Sequence, residues 1–397
     1  MKKGDDMLSA RAARLKESAT LKVFGAAKRM IAEGIDVINL SMGEPDYNTP
    51  EHIKEAAIQA IKANHTHYTV NRGILPLREA VAKRLKEDFN ADYTPEQILV
   101  SSGAKQSLFN TIMALVDEGD EVLLPYPAWP THPEAIGLAG GKVVALRTRE
   151  KDDFKINARQ LEEAITPKTK MILFSNPINP TGMVYSEDEL IALVDVLKKH
   201  NIFILADEIY ARMCYDGFKF RSLATFPEIK ERVILVQGVS KAYAMTGWRI
   251  GFSCGPQAVI KAADKIQGHS TSNASSIAQY AALAAVSGPQ DSLDEMLATY
   301  TKRRKYIMER FSAMPGISFA VPRGAFYLFP NVSAYFNEQY PDSTALAMYL
   351  LEKAHVAVVP GVGFGQEGYL RLSYAASMEQ LATACDRIEK ALKELKG

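Results

Sequence analysis

From about residue 50 onward, short apolar-rich runs alternate with stretches of helical periodicity, and this alternation limits the available folds more than any other feature of the chain. The runs fall at 98–101, 121–124, 142–146, 171–174, 202–205 and 233–236. Runs of this length, without polar alternation, read as strands buried on both faces. Helix signals lie between them. Thr49-Pro50-Glu51 offers a cap followed by a first-turn proline, and Ser186-Glu187-Asp188-Glu189 has the form of a capping box. Strands that alternate with helices need crossover connections, so the pattern predicts an α/β fold with a mostly parallel sheet covered on both faces. Ligands bind such sheets at the carboxyl ends of the strands.

After about residue 290 the pattern changes. A charged helical stretch through Tyr306 and Phe311 leads to short strands at 326–329, 356–359 and 370–373, then to a terminal amphipathic helix. This predicts a smaller α/β domain at 291–397 beside a large domain at 49–290. Residues 1–48 form an arm, with a helix near 21–33 expected to pack on the small domain. The chain has 397 residues, 47% hydrophobic and 23% charged, which suits a two-domain globular enzyme. A formal net charge of +1 creates no field for nucleic acid or an anionic membrane, so small molecules are the expected partners. Cys214, Cys254 and Cys385 form no C-x-x-C pair and suit a reducing compartment. The segment 1–18 is charged and lacks the apolar centre of a secretion signal, and no uncharged apolar run reaches bilayer length. Cytoplasm is the expected location.

Several constellations carry chemistry, each with a plainer alternative. Gly363-Phe364-Gly365-Gln366-Glu367-Gly368 satisfies G-x-G-x-x-G, but a strand-like run follows where a dinucleotide fingerprint needs a helix, so it reads as a loop. There is no P-loop and no H-E-x-x-H motif, and no metal is expected. At Ser101-Ser102-Gly103-Ala104-Lys105-Gln106 a strand ends and a helix starts on small residues. That suits a phosphate at the backbone N–H groups, or simply a tight turn with Lys105 in solvent. Asp207 ends the run 203–205 with Tyr210 three residues on; it is either a helix cap or the partner of a protonated heterocyclic nitrogen. Lys241 follows Gly238-Val239-Ser240. It is either a solvated lysine or, if burial and neighbouring cations make it less basic, a nucleophile and proton carrier.

Two further runs join these signals: Ser175-Asn176-Pro177-Ile178-Asn179-Pro180-Thr181-Gly182, and Ser240-Lys241-Ala242-Tyr243-Ala244-Met245-Thr246-Gly247-Trp248-Arg249-Ile250-Gly251. Together with Gly43-Glu44-Pro45-Asp46, Asp207-Glu208-Ile209-Tyr210 and Arg371-Leu372-Ser373-Tyr374, in that order, they resemble the class I pyridoxal-phosphate-dependent aminotransferases. Within these, the chain is similar to the bacterial aspartate aminotransferase subgroup. The resemblance implies fold type I, an α/β architecture with a mostly parallel seven-stranded sheet in the large domain, and pyridoxal 5′-phosphate as cofactor. It makes Lys241 the residue that holds the cofactor as a Schiff base and moves the proton at the substrate Cα. Asp207 would keep the ring nitrogen protonated, Tyr210 and Asn179 would donate to the ring hydroxyl oxygen, and Trp129 would stack on the ring. Gly103, Ala104, Lys105, Ser240 and Arg249 would hold the phosphate, joined by Tyr68 from a second subunit, which implies a homodimer.

For the substrate, the same resemblance gives Arg371 as the clamp on the α-carboxylate, Gly43 as the space for it, and Trp129 and Asn179 as further contacts. Ser18, Thr20 and Lys105 look like a distal-carboxylate site, which favours aspartate or glutamate with oxaloacetate or 2-oxoglutarate as acceptor. Ile178 departs from the family pattern, in which many members carry a second Asn before Asn179. Alanine, aromatic amino acids or prephenate, or a β-lyase reaction, are the nearby alternatives. A pyridoxal-phosphate-binding regulator is the non-enzyme alternative; the short stretch before Gly43 and the near-neutral charge speak against a DNA-reading module.

Overall fold

Apolar runs become strands here because they can bury both of their faces. The computed structural model describes residues 9–15 and 19–396. Its strands are β1 (Ile38–Asn39), β2 (Ile98–Ser101), β3 (Glu121–Tyr126), β4 (Lys142–Arg147), β5 (Thr169–Ser175), β6 (Phe203–Asp207), β7 (Val233–Gly238), β8 (Gly251–Cys254), β9 (Tyr327–Leu328), β10 (Val356–Ala357), β11 (Val359–Pro360) and β12 (Leu370–Ser373). The large sheet has seven strands in the order β2-β8-β7-β6-β5-β3-β4. Neighbours from β7 through β6, β5 and β3 to β4 run parallel, while β8 lies antiparallel between β7 and β2.

Side chains along each central strand alternate between two apolar layers. Ile204 and Ala206 of β6, with Val233 and Leu235 of β7, enter one layer; Leu205, Ile234 and Val236 enter the other, with Leu124 and Leu173. The same alternation sends Asp207 toward the layer that holds Trp129 and Glu208 toward the opposite one.

The six apolar runs account for six of the seven strands. The last, β8, is Gly251-Phe252-Ser253-Cys254, with too few apolar residues to announce itself. A Cβ at Gly251 would collide with the backbone of Ala104, so glycine lets β8 lie directly against the start of the helix Ala104–Leu115.

The capping box at Ser186 forms as expected: Ser186 Oγ accepts from the Glu189 amide at 3.3 Å and Glu189 Oε2 accepts from the Ser186 amide at 2.7 Å. The expected cap at Thr49 does not form. The helix Glu51–Lys62 starts from Pro50 with no side-chain cap. Thr49 Oγ1 instead donates to the Ala244 carbonyl at 2.8 Å and accepts from Trp248 Nε1 at 2.9 Å. Its hydroxyl is spent on the loop after Lys241.

The second region is built on β11-β12-β9, all antiparallel, and on a parallel pairing of β1 with β10 in which Ile38 faces Val356. The helix Ala19–Ala32 packs on the helix Ser343–Ala354 and on β10 and β11. The glycine run at 363–368 leads into β12 and not into a helix. From its middle the long helix Asp291–Ser312 ties down two separate loops: Arg303 reaches Asp46, two residues past Glu44, at 2.7 Å, and Arg304 reaches Asp216, in the loop after β6, at 2.8 Å.

Leu205 is fully buried at the centre of the large sheet. Leu205→Ala is expected to lower the unfolding free energy by about 2–5 kcal/mol, read as a lower urea midpoint at an unchanged m-value.

Candidate active site

Parallel strands deliver their carboxyl ends to one edge of the sheet, and the polar side chains collect there. β6 ends at Asp207, which is not a helix cap. Its Oδ2 lies 3.2 Å from His132 Nε2, and Oδ1 accepts from the Ile209 amide at 3.4 Å. Trp129, in the loop after β3, meets the His132 ring edge-to-face at 5.5 Å between centroids. Lys105 Nζ stands 4.8 Å from the centre of the Trp129 ring.

Lys241 follows β7 and donates from Nζ to the Gly43 carbonyl. Burial, followed by the charge of Arg371 and then that of Arg249, lowers its pKa to about 8, against the opposing pull of Glu44 and Asp207. A much larger share of this amine is therefore unprotonated near neutral pH than for a solvated lysine. It is not the solvated lysine that was the plainer alternative. Glu44 is kept in place by Thr246, whose Oγ1 donates to Glu44 Oε2 at 2.8 Å.

Arg371, on β12, is buried. Its Nη1 donates to Asn179 Oδ1 at 3.1 Å and its Nη2 to the Ser41 carbonyl at 2.7 Å, while Nε has no partner among the described residues. Its guanidinium lies over the ring of Tyr327 at 4.4 Å. Tyr210 and Tyr327, both buried, bring their hydroxyls to 2.7 Å. Gly43 closes this corner: a Cβ there would lie 2.9 Å from the Tyr327 hydroxyl and 3.9 Å from both terminal nitrogens of Arg371.

On the other side, the helix Ala104–Leu115 starts from Gly103 at φ +86°, and a Cβ on Gly103 would collide with the Arg249 guanidinium. The amides of Gln106 and Ser107 return to the Gly103 carbonyl at 3.0 and 3.2 Å; those of Ala104 and Lys105 make no such return. Arg249 adopts φ +56° and donates from Nη1 to the Thr246 carbonyl at 2.8 Å. Burial, with help from Arg249, lowers the pKa of Lys105. Ser240 is buried immediately before Lys241.

Two sequence candidates stand apart. Tyr68 is 89% exposed in the loop between the helices Glu51–Lys62 and Leu75–Phe89 and takes no part in these hydrogen bonds within one chain. Ser18 lies outside the described residues, and Thr20 falls in the first turn of Ala19–Ala32.

Two residues of the site, Tyr327 and His132, and a third behind it, Glu208, have roles that the sequence does not reveal. Tyr327 sits in a run that looked like plain core, and only the fold turns it toward Tyr210. His132 stands three residues beyond Trp129, and its amide donates to the Trp129 carbonyl at 2.9 Å where the helix Thr131–Leu138 begins. Glu208 is fully buried, its Oε1 accepting from the Leu223 amide at 3.0 Å and its Oε2 unpartnered among the described residues. Burial raises its pKa to about 8, with Asp207 adding to the shift, so the carboxyl is largely neutral below that pH.

A family model described as "Aminotransferase class I and II" matches residues 35–388. The chain belongs to the class I and II aminotransferases. It is 45% identical to an aspartate aminotransferase of Geobacillus stearothermophilus, over 97% of this chain and 99% of that one. It is 43% identical to a probable aspartate/prephenate aminotransferase of Aquifex aeolicus, over the full length of both. The crystal structure of the aspartate aminotransferase from Rhizobium meliloti superposes with a TM-score of 0.94 at 40% identity, covering 98% of this chain and 99% of the other.

The aminotransferase is pyridoxal-phosphate-dependent, as its family is. Its own residues fit that group. They offer an amine of lowered basicity, a buried carboxylate backed by a histidine, and a helix start with free amides beside Arg249, where Gly103 leaves space that a side chain would fill.

The two shifted groups predict opposite pH responses in the cofactor-free protein. Lys241 holds its proton less tightly when folded, so between about 8 and the ordinary 10.5 the unfolded chain binds more protons and stability rises with pH; Lys241→Met is expected to remove that rise. Glu208 holds its proton more tightly, so between the ordinary 4.5 and about 8 stability falls as pH rises, and Glu208→Gln is expected to abolish the fall. Urea midpoints measured across pH check both.

Proposed function

We propose that this aminotransferase transfers the amino group of aspartate or glutamate to oxaloacetate or 2-oxoglutarate, with Lys241 holding the cofactor. The observation that carries the reading is Arg371. A buried guanidinium with an unmatched Nε, close enough to Lys241 to lower its pKa, is a receptor for a carboxylate that brings two acceptor oxygens. Lys105 supplies a second cation beside Trp129 for an acidic side chain, with Ser18 and Thr20 as its proposed companions. The names of the relatives from Geobacillus and Rhizobium support the same substrate class.

When bound, pyridoxal phosphate supplies an aldehyde that takes up the amino group and a protonated ring that accepts the electron pair of the substrate Cα–H bond. Lys241 Nζ is the group that holds the aldehyde and the base that moves the Cα proton, a task its lowered pKa suits. Asp207 keeps the ring nitrogen charged, with His132 behind it. Tyr210 stays a neutral phenol because burial raises its pKa well above the usual range, so it can donate to the ring hydroxyl oxygen. Asn179 spends its carbonyl oxygen on Arg371, which leaves its NH2 to donate to the same ring oxygen. Trp129 covers the ring face. Gly103, Ala104, Lys105, Ser240 and Arg249 take the phosphate through amides, a hydroxyl and cations.

The remaining phosphate contact comes from the partner's Tyr68, across a homodimer. Exposed apolar side chains surround this residue in the sequence, among them Ile61 and, at 68%, Val70, and a second copy of the chain would cover them. The reading divides the chain into a cofactor-binding domain at 49–290 and a small domain at 291–397 joined by the arm 1–48. It assigns a cytoplasmic location in keeping with three free cysteines. Among the described residues no helix is long and apolar enough to cross a membrane.

Prephenate is the second reading, favoured by the name of the Aquifex relative and by the two carboxylates of that oxo acid. Spectral titration of the holoenzyme with aspartate, glutamate, alanine and tyrosine, with the keto product identified, separates the readings when prephenate is also tried as acceptor. Failure to convert aspartate to oxaloacetate rejects the first. Borohydride reduction followed by peptide mapping is expected to label Lys241. Arg371→Leu is expected to lower kcat/KM for aspartate by about a hundredfold or more.

A further inference from the structure

Tyr327 has none of the roles above, yet it touches Tyr210 and Arg371 and closes against Gly43, three residues that do. It lies on β9, whose residues pair with β12 in the register Tyr327 to Ser373, two positions along from Arg371. Its hydroxyl is 2.7 Å from that of Tyr210, and the two rings meet edge-to-face at 5.8 Å. Arg371 covers its ring at 4.4 Å, and Gly43 has no side chain where one would press on its hydroxyl. One buried phenol therefore joins the small sheet, which carries Arg371, to the loop after β6, which carries Tyr210.

A hydroxyl has a single proton to donate. If Tyr210 directs its own toward the cofactor ring oxygen, the bond between the two phenols must be donated by Tyr327. A phenol that accepts a hydrogen bond becomes a better donor in turn. We propose that Tyr327 is a positioning residue that donates to Tyr210, strengthens Tyr210 as a donor to the cofactor, and reports to it whether Arg371 holds a carboxylate. The inference rests on the functional reading above and extends it.

The charged and titratable groups facing the pair are Arg371 from β12, Asp207 from β6, Lys241 from the turn after β7, whose Nζ is 5.7 Å from the Tyr210 ring, and Tyr374 just beyond β12. Burial raises the pKa of both phenols, so both stay protonated near neutral pH. Arg371 opposes that rise at Tyr327. A carboxylate seated on Arg371 offsets its charge and weakens Tyr327 as a donor.

The test follows the visible absorbance of the cofactor in the holoenzyme during a pH titration, with and without maleate, an unreactive dicarboxylate. Tyr327→Phe keeps the ring over Arg371 and removes only the hydroxyl. The maleate-free midpoint is expected to rise by about half to one pH unit, and the further rise caused by maleate to shrink. Replacing Tyr327 with 3-fluorotyrosine, a stronger donor, is expected to move the maleate-free midpoint down. If Tyr210→Phe moves the midpoint while both changes at 327 leave it within about 0.2 unit of the unaltered protein, the inference is overturned and the functional reading stands. If Tyr210→Phe leaves it in place as well, the inference and the role given to Tyr210 at the ring oxygen are both overturned, while conversion of aspartate to oxaloacetate still decides the substrate reading.

Discussion

Like charges brought close together repel one another, and this protein gathers the buried Arg371 and the half-buried Lys241 with Arg249 and Lys105, which keep contact with solvent. Arg371 and Arg249 make Lys241 less basic, and Arg249 does the same to Lys105. Two carboxylates, Glu44 and Asp207, pull Lys241 the other way. The repulsion disfavours the charged form of the lysines, and hydrogen bonds hold three of the four cations in place. Arg371 is fixed in a strand and tied to Asn179 and Ser41, Arg249 is tied to Thr246, and Lys241 is tied to Gly43. Two neutral groups keep the balance from tipping further. Glu208 withholds a second negative charge from the neighbourhood of Asp207, and Tyr210 offers a dipole in place of a charge.

The sheet was legible because its central strands are apolar on both faces. Runs such as 171–174 and 233–236 have one physical meaning, and the loops that follow them had to carry the polar residues. The motifs around Asn179, Lys241 and Arg371 were legible for a different reason: their spelling is shared across a family. Where neither signal operated, the reading failed. β8 combines glycine, serine and cysteine and is a strand only because its neighbours supply the ladder. Thr49 has the chemistry of a cap, but Trp248 and the Ala244 carbonyl, almost two hundred residues away in the chain, claim its hydroxyl.

Tyr327 and His132 were hidden by the same limit. A tyrosine between Phe326 and Leu328 is indistinguishable from core until the small sheet is folded against the large one. A histidine in Thr131-His132-Pro133 acquires meaning only when β6 brings Asp207 within reach. The residues that carry the family resemblance sit in recognisable runs, whereas Tyr327 and His132, which touch them, are brought in by tertiary contacts with no local spelling. Tyr68, which the family resemblance assigns to the phosphate, is left in solvent by a single chain.

The pairing of β1 with β10 has a consequence for biosynthesis. Ile38 leaves the ribosome early and must wait for Val356, which emerges near the end of translation. The large sheet, complete by Cys254, can form meanwhile from strands already made. The small region is therefore the last to assemble, after a ring closure spanning most of the polypeptide, and a ribosome stalled before residue 356 would release a nascent protein whose amino-terminal segment has nothing to pair with.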